Sequence, residues 1–275
     1  MKLSWSKKDI VDYYHANEFA YKLWGRNMHY GYWEKDTKTQ QQASLRFNEK
    51  MAQRAAIGRD DYVLDAGCGV GGASIYLAKT FGCRAVGVTI TPRQVGLARA
   101  NAARENVAHL TEFHEMDYTH TTFPDATFTV VWGLESICYA DDKAAFLREV
   151  YRLLKPGGRF IMADGFASRT EYQGADRKLM DKWLDGWIVN NVETPGNWKK
   201  FAAAAGFTNV WYENVTAKVK PTSRLMYFVS WPFMPLHQLN KFIPLGPYPT
   251  DALYHQYHAM NRGLWEYGMF YAEKR

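Results

Sequence analysis

Tyr62-Val63-Leu64-Asp65-Ala66-Gly67-Cys68-Gly69-Val70-Gly71-Gly72 runs from a short apolar segment into a glycine-rich turn. Asp65 closes the apolar run, Gly67, Gly69 and Gly72 follow, and Ala73 to Lys79 are good helix formers. Strand, glycine turn and helix in that order open a nucleotide-binding βαβ unit. Without Cβ atoms the turn can take positive φ, and a ligand can lie against bare backbone. Asp65, at the strand end, can accept from a ligand's cationic or hydroxyl donors. A site of the NAD type wants an acid about 20 residues further on for the ribose. No acid occurs between Asp65 and Glu105, and the second strand, Arg84–Val88, runs instead into Thr89-Ile90-Thr91-Pro92-Arg93-Gln94. The pattern argues against a nicotinamide cofactor.

Outward from this turn, the chain alternates. The hydrophobic spacing predicts strand 62–65, helix 71–81, strand 84–89, helix 92–106, strands 110–116 and 127–133, helix 141–154 and strand 158–165. Lys155-Pro156-Gly157-Gly158 marks a helix-to-strand break. Strands alternating with helices imply an α/β, doubly wound, mostly parallel sheet. Upstream, Asp9 to Trp24 and Thr39 to Ile57 read as helices, the first with Ser6 as N-cap. Downstream, helices are expected at 176–190, 197–205 and 250–263, with strands at Asn209–Lys220 and Tyr267–Ala272. Residues 221–249 hold Pro221, Pro232, Pro235, Pro244, Pro247 and Pro249 among methionines and aromatics. That stretch is too apolar for a solvated linker, and reads as a lid or a surface-docking flap. The expected organisation is an N-terminal aromatic helical cap (1–57) and a core (58–275). Substrate-covering insertions are placed at about 166–208 and 221–263.

The chain has 275 residues, 47% apolar and 23% charged, ordinary for a globular protein of one large domain. The net charge of +6 comes without long Lys/Arg runs, so no nucleic-acid surface is indicated. A mild attraction to anionic lipid fits the same charge. Cys68, Cys83 and Cys138 lack paired spacing, which suits a reducing cytoplasm and no metal site. No apolar run approaches the ~18 residues of a membrane span. Peripheral contact with a membrane stays open, as does a homo-oligomer. Aromatics make up 16% of the chain and crowd residues 5–33 and 211–271, leaving 60–165 sparse. The contrast suggests a conventional core and an aromatic wall supplied by both ends.

Span 62–165 resembles the class I S-adenosylmethionine-dependent methyltransferases. The likeness rests on Asp65-x-Gly67-x-Gly69-x-x-Gly72, on Met116-Asp117-Tyr118, and on Leu153-Leu154-Lys155-Pro156-Gly157-Gly158. It implies a Rossmann-like sheet of seven strands and S-adenosyl-L-methionine as cofactor. The implied cofactor residues are Asp65, Gly67, Cys68, Gly69, Thr89, Ile90, Gln94, Met116, Asp117, Tyr118 and Leu134. In such a site the glycine turn faces the methionine and the sugar, and Asp117 accepts from the adenine amino group. Tyr118 or Met116 packs on the ring. Thr89, with Gln94, stands where the family usually has an acid for the ribose. Gly87-Val88-Thr89-Ile90-Thr91-x-x-Gln94 is similar to the matching turn of sterol and tocopherol C-methyltransferases and of cyclopropane fatty acid synthases.

Two further stretches narrow the likeness. Tyr13-Tyr14-His15 through Phe19, Tyr21, Trp24-Gly25 and His29-Tyr30 looks like the N-terminal aromatic region of sterol C-24 methyltransferases. Trp132 to Asp141 is similar to the Glu-bearing loop of sterol and prenyl-diphosphate C-methyltransferases, where the Glu lies beside the reacting carbon. The resemblance covers residues from about 10 to 165, and the remaining hundred match only in outline.

The residues themselves agree. Glu135 follows Val130-Val131-Trp132 and so belongs at the C-terminal end of a strand, where doubly wound folds bind ligands. A carboxylate there can stabilise a developing cation and take up a proton. An alkene attacking a sulfonium methyl needs both. Aromatic faces stabilise the cation further, by ~1–2 kcal/mol each when desolvated, and water must be excluded. Glu135 is therefore the expected catalytic residue, assisted by Tyr14 or His29. Tyr13, Tyr21, Trp24, Tyr30 and Tyr139 are expected around an apolar small-molecule substrate. Each has a plainer reading as a solvated acid or as core packing. The expected reaction is C-methylation of a sterol- or isoprenoid-like alkene. N- or O-methylation of an amine, alkaloid or phenol, and tocopherol-like aromatic C-methylation, are the alternatives. A non-catalytic S-adenosylmethionine-binding subunit is the remote one.

Overall fold

The computed structural model describes residues 3–18, 24–233 and 250–275. Tyr21, Phe19 and the stretch 234–249 of the expected flap lie outside the described residues. Seven strands, β1 (Tyr62–Ala66), β2 (Arg84–Thr89), β3 (Thr111–Glu115), β4 (Phe128–Leu134), β5 (Leu154–Ala167), β6 (Thr208–Asn214) and β7 (Trp265–Glu273), form one sheet. Their order is β3-β2-β1-β4-β5-β7-β6. Only β7 runs antiparallel, to both its neighbours β5 and β6. This is the doubly wound α/β sheet that the alternation implied. The strand order reverses between β1 and β4, which pair through Val63↔Val130 to Asp65↔Trp132. Ligands of such sheets bind in the crevice beyond that switch point. Asp65 and Glu135 both end there.

Of the helices, α1 (Lys7–Ala16) and α2 (Gln40–Arg54) precede the sheet, α3 (Gly72–Phe81) and α4 (Pro92–Arg104) cross between β1, β2 and β3, and α5 (Lys143–Leu153) leads into β5. α6 (Gly174–Gly186) and α7 (Pro195–Ala205) separate β5 from β6, and α8 (Thr216–Ser230) and α9 (Thr250–Asn261) separate β6 from β7. Ser6 caps α1 through a reciprocal pair with Asp9, as its position suggested. α1 stops at Ala16 with Asn17 as its C-cap, whose Nδ2 donates to Tyr13 O at 2.9 Å, and residues 19–23 of the expected helix lie outside the described residues.

Two other expectations are corrected. The strand Asn209–Lys220 stops at Asn214, whose Oδ1 accepts from Thr216 N at 2.9 Å and turns the chain into α8. The buried positions of α8 are Val219, Thr222, Ser223, Met226 and Ser230, a helical stripe. Three are hydroxyl residues, so hydropathy hides the period, and Pro221 inside the helix hides it further. Second, the insertion proposed at 166–208 is not all cover. Trp198 and Ala202 of α7 pack with Phe166 and Phe207 in the core beneath the sheet. The cover is built from α6, α8, α9 and the N-terminal segment. At 155–158 the chain does not break cleanly either: β5 already begins at Leu154, with Gly157 at φ +76° taking up the irregularity.

Candidate active site

Beyond the C-terminal ends of β1, β2, β4 and β5 lies a cavity of about 760 Å³. Its first lobe is polar. The turn after β1 is tight: a Cβ on Gly67 (φ +88°) would sit 2.4 Å from Ser136 Cβ, and one on Gly72 would sit 2.5 Å from Arg26 O. The segment carrying Arg26, Asn27 and Met28 thus lies across the glycine turn as a roof. Asp65 Oδ2 accepts from Ser74 N at 3.2 Å and from Ser74 Oγ at 2.5 Å, and its other oxygen is left for a ligand. Burial pushes the Asp65 carboxyl up to about 6, with the Ser74 bonds pulling the other way. Thr89 Oγ1 donates to Gln94 Oε1 at 2.7 Å, which leaves the Gln94 amide N–H groups to donate elsewhere. Asp117 Oδ1 accepts from Thr119 N at 2.9 Å and Thr119 Oγ1 at 2.7 Å, while Oδ2 is paired with Lys7 of α1. Burial raises Asp117, but the bonds from Lys7 and Thr119 outweigh it and hold the carboxyl below its usual range. Gly69, Cys68, Ile90, Tyr118 and Leu134 complete this lobe.

The second lobe is aromatic, with acids at its floor. Glu135 adopts φ +50°, a left-handed conformation that costs a non-glycine residue roughly 1–3 kcal/mol. The strain aims the side chain into the chamber. Glu135 Oε1 accepts from Tyr30 N and from the Tyr267 hydroxyl, both at 2.6 Å, while Oε2 takes no hydrogen bond from the described residues. Burial pushes the Glu135 carboxyl up to about 8. The Tyr267 and Tyr30 donors lower it, and Asp164 raises it further. Asp164 is itself buried, accepting from Cys138 N at 2.9 Å and Gly165 N at 2.8 Å. Behind it the buried Lys143 Nζ donates to Cys138 O at 2.8 Å, Ala140 O at 2.5 Å and Asn191 O at 3.3 Å, clamping the Glu135 loop to the segment after α6. Trp183 stacks on Trp265 with centroids 4.4 Å apart, and Trp24, Trp187, Val189, Met226 and Leu253 continue the wall.

The sequence-derived set divides. Asp65, Gly67, Cys68, Gly69, Thr89, Ile90, Gln94, Asp117, Tyr118, Leu134, Glu135, Tyr14, His29, Trp24, Tyr30 and Tyr139 all line the cavity. Tyr13 does not: it is buried with Ile10 and Ile188 in a small apolar cluster beside the chamber. Met116 does not either, lying against the core under the sheet. Neither Tyr14 nor His29 hydrogen-bonds Glu135. The Tyr14 hydroxyl donates to Tyr139 Oη at 3.2 Å, and Tyr139 donates to Trp187 O at 3.2 Å. Burial raises the Tyr14 phenol well above its usual range, so it can donate a hydrogen bond but cannot serve as a base near neutrality. His29 Nδ1 donates to Tyr30 O at 2.7 Å. Burial pushes its pKa down to about 4, so the ring is neutral, with the Nε2 lone pair unpartnered. Tyr267, Asp164, Lys143, Trp183 and Gln256 were missed. Asp164 had a signal, an acid at the end of a strand of the parallel set, whereas Tyr267 reaches the site only through the antiparallel β7.

Residues 64–162 match the family model described as a methyltransferase domain. The chloroplastic tocopherol O-methyltransferase of Arabidopsis thaliana is 33% identical over 169 residues, covering 57% of this chain and 49% of that protein. Residues 64–162 thus carry the sequence pattern of a methyltransferase domain. The chain spans about half the length of the curated relatives it matches. Solved structures share the fold of this chain over nearly its whole length. The [4+2]-cyclase SpnF superposes with TM-score 0.80 at 22% identity, covering 99% of this chain and 97% of that one. Geranyl diphosphate C-methyltransferase from Streptomyces coelicolor A3(2) superposes with TM-score 0.76 at 19% identity, covering all of both chains. The first lobe fits S-adenosylmethionine chemically. Its cationic groups suit the Asp65 carboxylate at the end of β1. Its ribose and adenine suit the Gln94 donors and the Asp117 acceptor.

Proposed function

We propose that this methyltransferase domain methylates an alkene carbon of a sterol- or isoprenoid-like small molecule through a carbocation. The observation that carries the reading is Glu135, a buried carboxyl with one oxygen held by two donors, lining a cavity walled by aromatic residues. S-adenosylmethionine, held by Asp65, the glycine turn, Thr89, Gln94, Asp117 and Tyr118, supplies an electrophilic methyl group when bound. The chain's own residues do the rest. The aromatic faces around Trp24, Tyr30, Trp183 and Trp265 favour positive charge on the substrate carbon. Glu135 Oε2 lies in the same chamber and takes the proton that must leave. Its carboxyl is mostly protonated near neutral pH without a neighbouring cation, and positive charge beside it favours the ionised, proton-accepting form. Tyr267 and the Tyr30 N–H hold the carboxylate in place and spread its charge without taking its proton. The apolar walls keep out water that would quench the cation.

A second reading, methyl transfer to a phenolic oxygen or ring carbon of a prenylated quinol, draws on the similarity to tocopherol O-methyltransferase. There Glu135 would take the proton of the phenol or of the ring carbon. We also propose a peripheral membrane contact. The outer face of α8 exposes Leu225 and Phe228 beside Lys220 and Arg224, and the exposed Trp231 follows directly after the helix.

Incubation with methyl-labelled S-adenosylmethionine and a panel of prenyl alcohols, sterols and prenyl quinols, followed by mass spectrometry and NMR of the product, tests the reading. A new C–CH3 at a former alkene carbon is expected. Glu135→Gln should lower kcat by about 10²-fold or more while cofactor affinity by calorimetry stays within about threefold. Turnover of the variant within that same factor of wild type would remove Glu135 from the chemistry.

A further inference from the structure

Gln256 of α9 lines the apolar lobe and is 1% exposed. Its Oε1 accepts from Trp187 Nε1 at 3.2 Å. An indole N–H can only donate, so this contact fixes which end of the amide is oxygen. The NH2 group must then face the other way. There it donates to Met226 Sδ at 3.2 Å. A thioether is a weak acceptor, and it uses one of the two N–H groups at most. Met226 lines the same cavity. The backbone of Gln256 is pinned as well, because its carbonyl accepts from Trp265 Nε1 at 3.0 Å. A fully buried amide with an unsatisfied N–H is costly unless something pairs with it. The cavity wall here includes Trp183, Trp187, Leu253 and Met226, and among the described residues the amide has no acceptor other than the Met226 sulfur.

We propose that the Gln256 amide is a subsite for a single acceptor oxygen, a hydroxyl or carbonyl, on an otherwise apolar substrate. The inference rests on the proposed apolar-substrate reading and adds to it where the substrate's one polar group lies. Trp187 holds the amide in register. The Met226 sulfur occupies one N–H weakly and is readily replaced by oxygen. An apolar substrate that lacks the oxygen leaves the amide unpaired, so the site discriminates against it.

The test uses two C15 probes of the same skeleton, farnesol and farnesene. Their dissociation constants are measured by quenching of tryptophan fluorescence, with S-adenosylhomocysteine present. Wild type is expected to bind farnesol at least about tenfold more tightly than farnesene. Gln256→Leu, which keeps the volume and removes the amide, should bring the two within about twofold, in part by tightening farnesene. Met226→Leu, which removes only the sulfur, should keep the farnesol preference or widen it. Binding of both probes with a preference under about tenfold in wild type would overturn the subsite and leave the apolar-substrate reading intact. Persistence of the wild-type preference in Gln256→Leu, or its loss in Met226→Leu, would overturn it in the same way. If neither probe saturates wild type, the apolar-substrate reading falls and takes the subsite with it.

Discussion

Glu135 brings together a strained backbone, a partly shielded carboxyl and a free oxygen, and each has a measurable consequence. Its pKa stands near 8 in the folded protein against 4.5 in an ordinary glutamate. A folded value above the unfolded one means that the native state holds the proton more tightly. The associated stability is therefore whole below the unfolded pKa of 4.5 and is lost as pH rises through about 8. Glu135→Gln has no proton to lose. The stability of wild type relative to Glu135→Gln, from urea unfolding of the ligand-free proteins, should thus fall between about pH 5 and pH 8.5 and level off above. Asp65 titrates in the same direction in both proteins and cancels in the difference. A flat difference would mean that Glu135 is ionised and solvated in the native state. Under the proposed mechanism the same group supplies the acid limb of the rate profile. Cofactor charge favours the carboxylate, so the limb should lie at or below about 8.

The helix α8 has two working faces. Inward, Thr222 is fully buried and its Oγ1 accepts from Gly31 N at 3.1 Å and Trp33 Nε1 at 2.9 Å while donating to Gln40 Oε1 at 2.7 Å. This hydroxyl ties the N-terminal segment and α2 to α8 beside Tyr30. Thr222→Val keeps the shape and removes all three bonds, so it should destabilise the protein by about 2–4 kcal/mol in urea unfolding. Because the Tyr30 N–H that holds Glu135 lies one residue from Gly31, kcat should fall as well. A loss under about 0.5 kcal/mol would show the junction to be held by other contacts. Outward, Arg224 lies over the Phe228 ring at 5.6 Å beside Leu225 and Trp231. Basic and aromatic residues on one helix face suit an anionic bilayer surface. Sedimentation with phosphatidylglycerol vesicles is expected to pull down wild type, less so at high salt, whereas Phe228→Ser with Trp231→Ser should stay in the supernatant. Equal pelleting of both would end the membrane proposal.

The chain folds around a cavity between a sheet edge and a helical cover, so the cofactor should act as a structural brace. A ligand that binds only the native state adds about 2.7 kcal/mol at a hundred times its Kd. S-adenosylhomocysteine should accordingly raise the unfolding midpoint of wild type, and Asp65→Ala should abolish that rise. An undiminished rise in the variant would remove Asp65 from the cofactor site. The roof depends on the same region: Arg26 pairs with Glu105 at 2.7 Å, and Lys7 with Asp117, across the cofactor lobe.

Much of this architecture is written locally. A glycine turn between an apolar strand and a helix, with Asp65 before it, is a short-range pattern, and so are the strand and helix periods from 62 to 165. Glu135 could be placed because it ends an apolar strand of a parallel set, and strand ends converge at the switch point. Other features have no local signature. Tyr267 reaches Glu135 from 132 residues away because β7 inserts antiparallel between β5 and β6. The period of α8 is masked by its buried hydroxyls, which become interpretable once Gly31, Trp33 and Gln40 are seen to pair with Thr222. Tyr13 and Tyr14 are adjacent and chemically alike, and only the rotation of α1 against its neighbours sends one into packing and the other into the chamber. Short-range pattern carries the donor site because backbone geometry there is set by neighbours in the chain. The chamber proposed for the substrate is assembled from distant segments whose contacts are long-range, so the sequence named several of its aromatics but not Tyr267, Trp183 or Gln256.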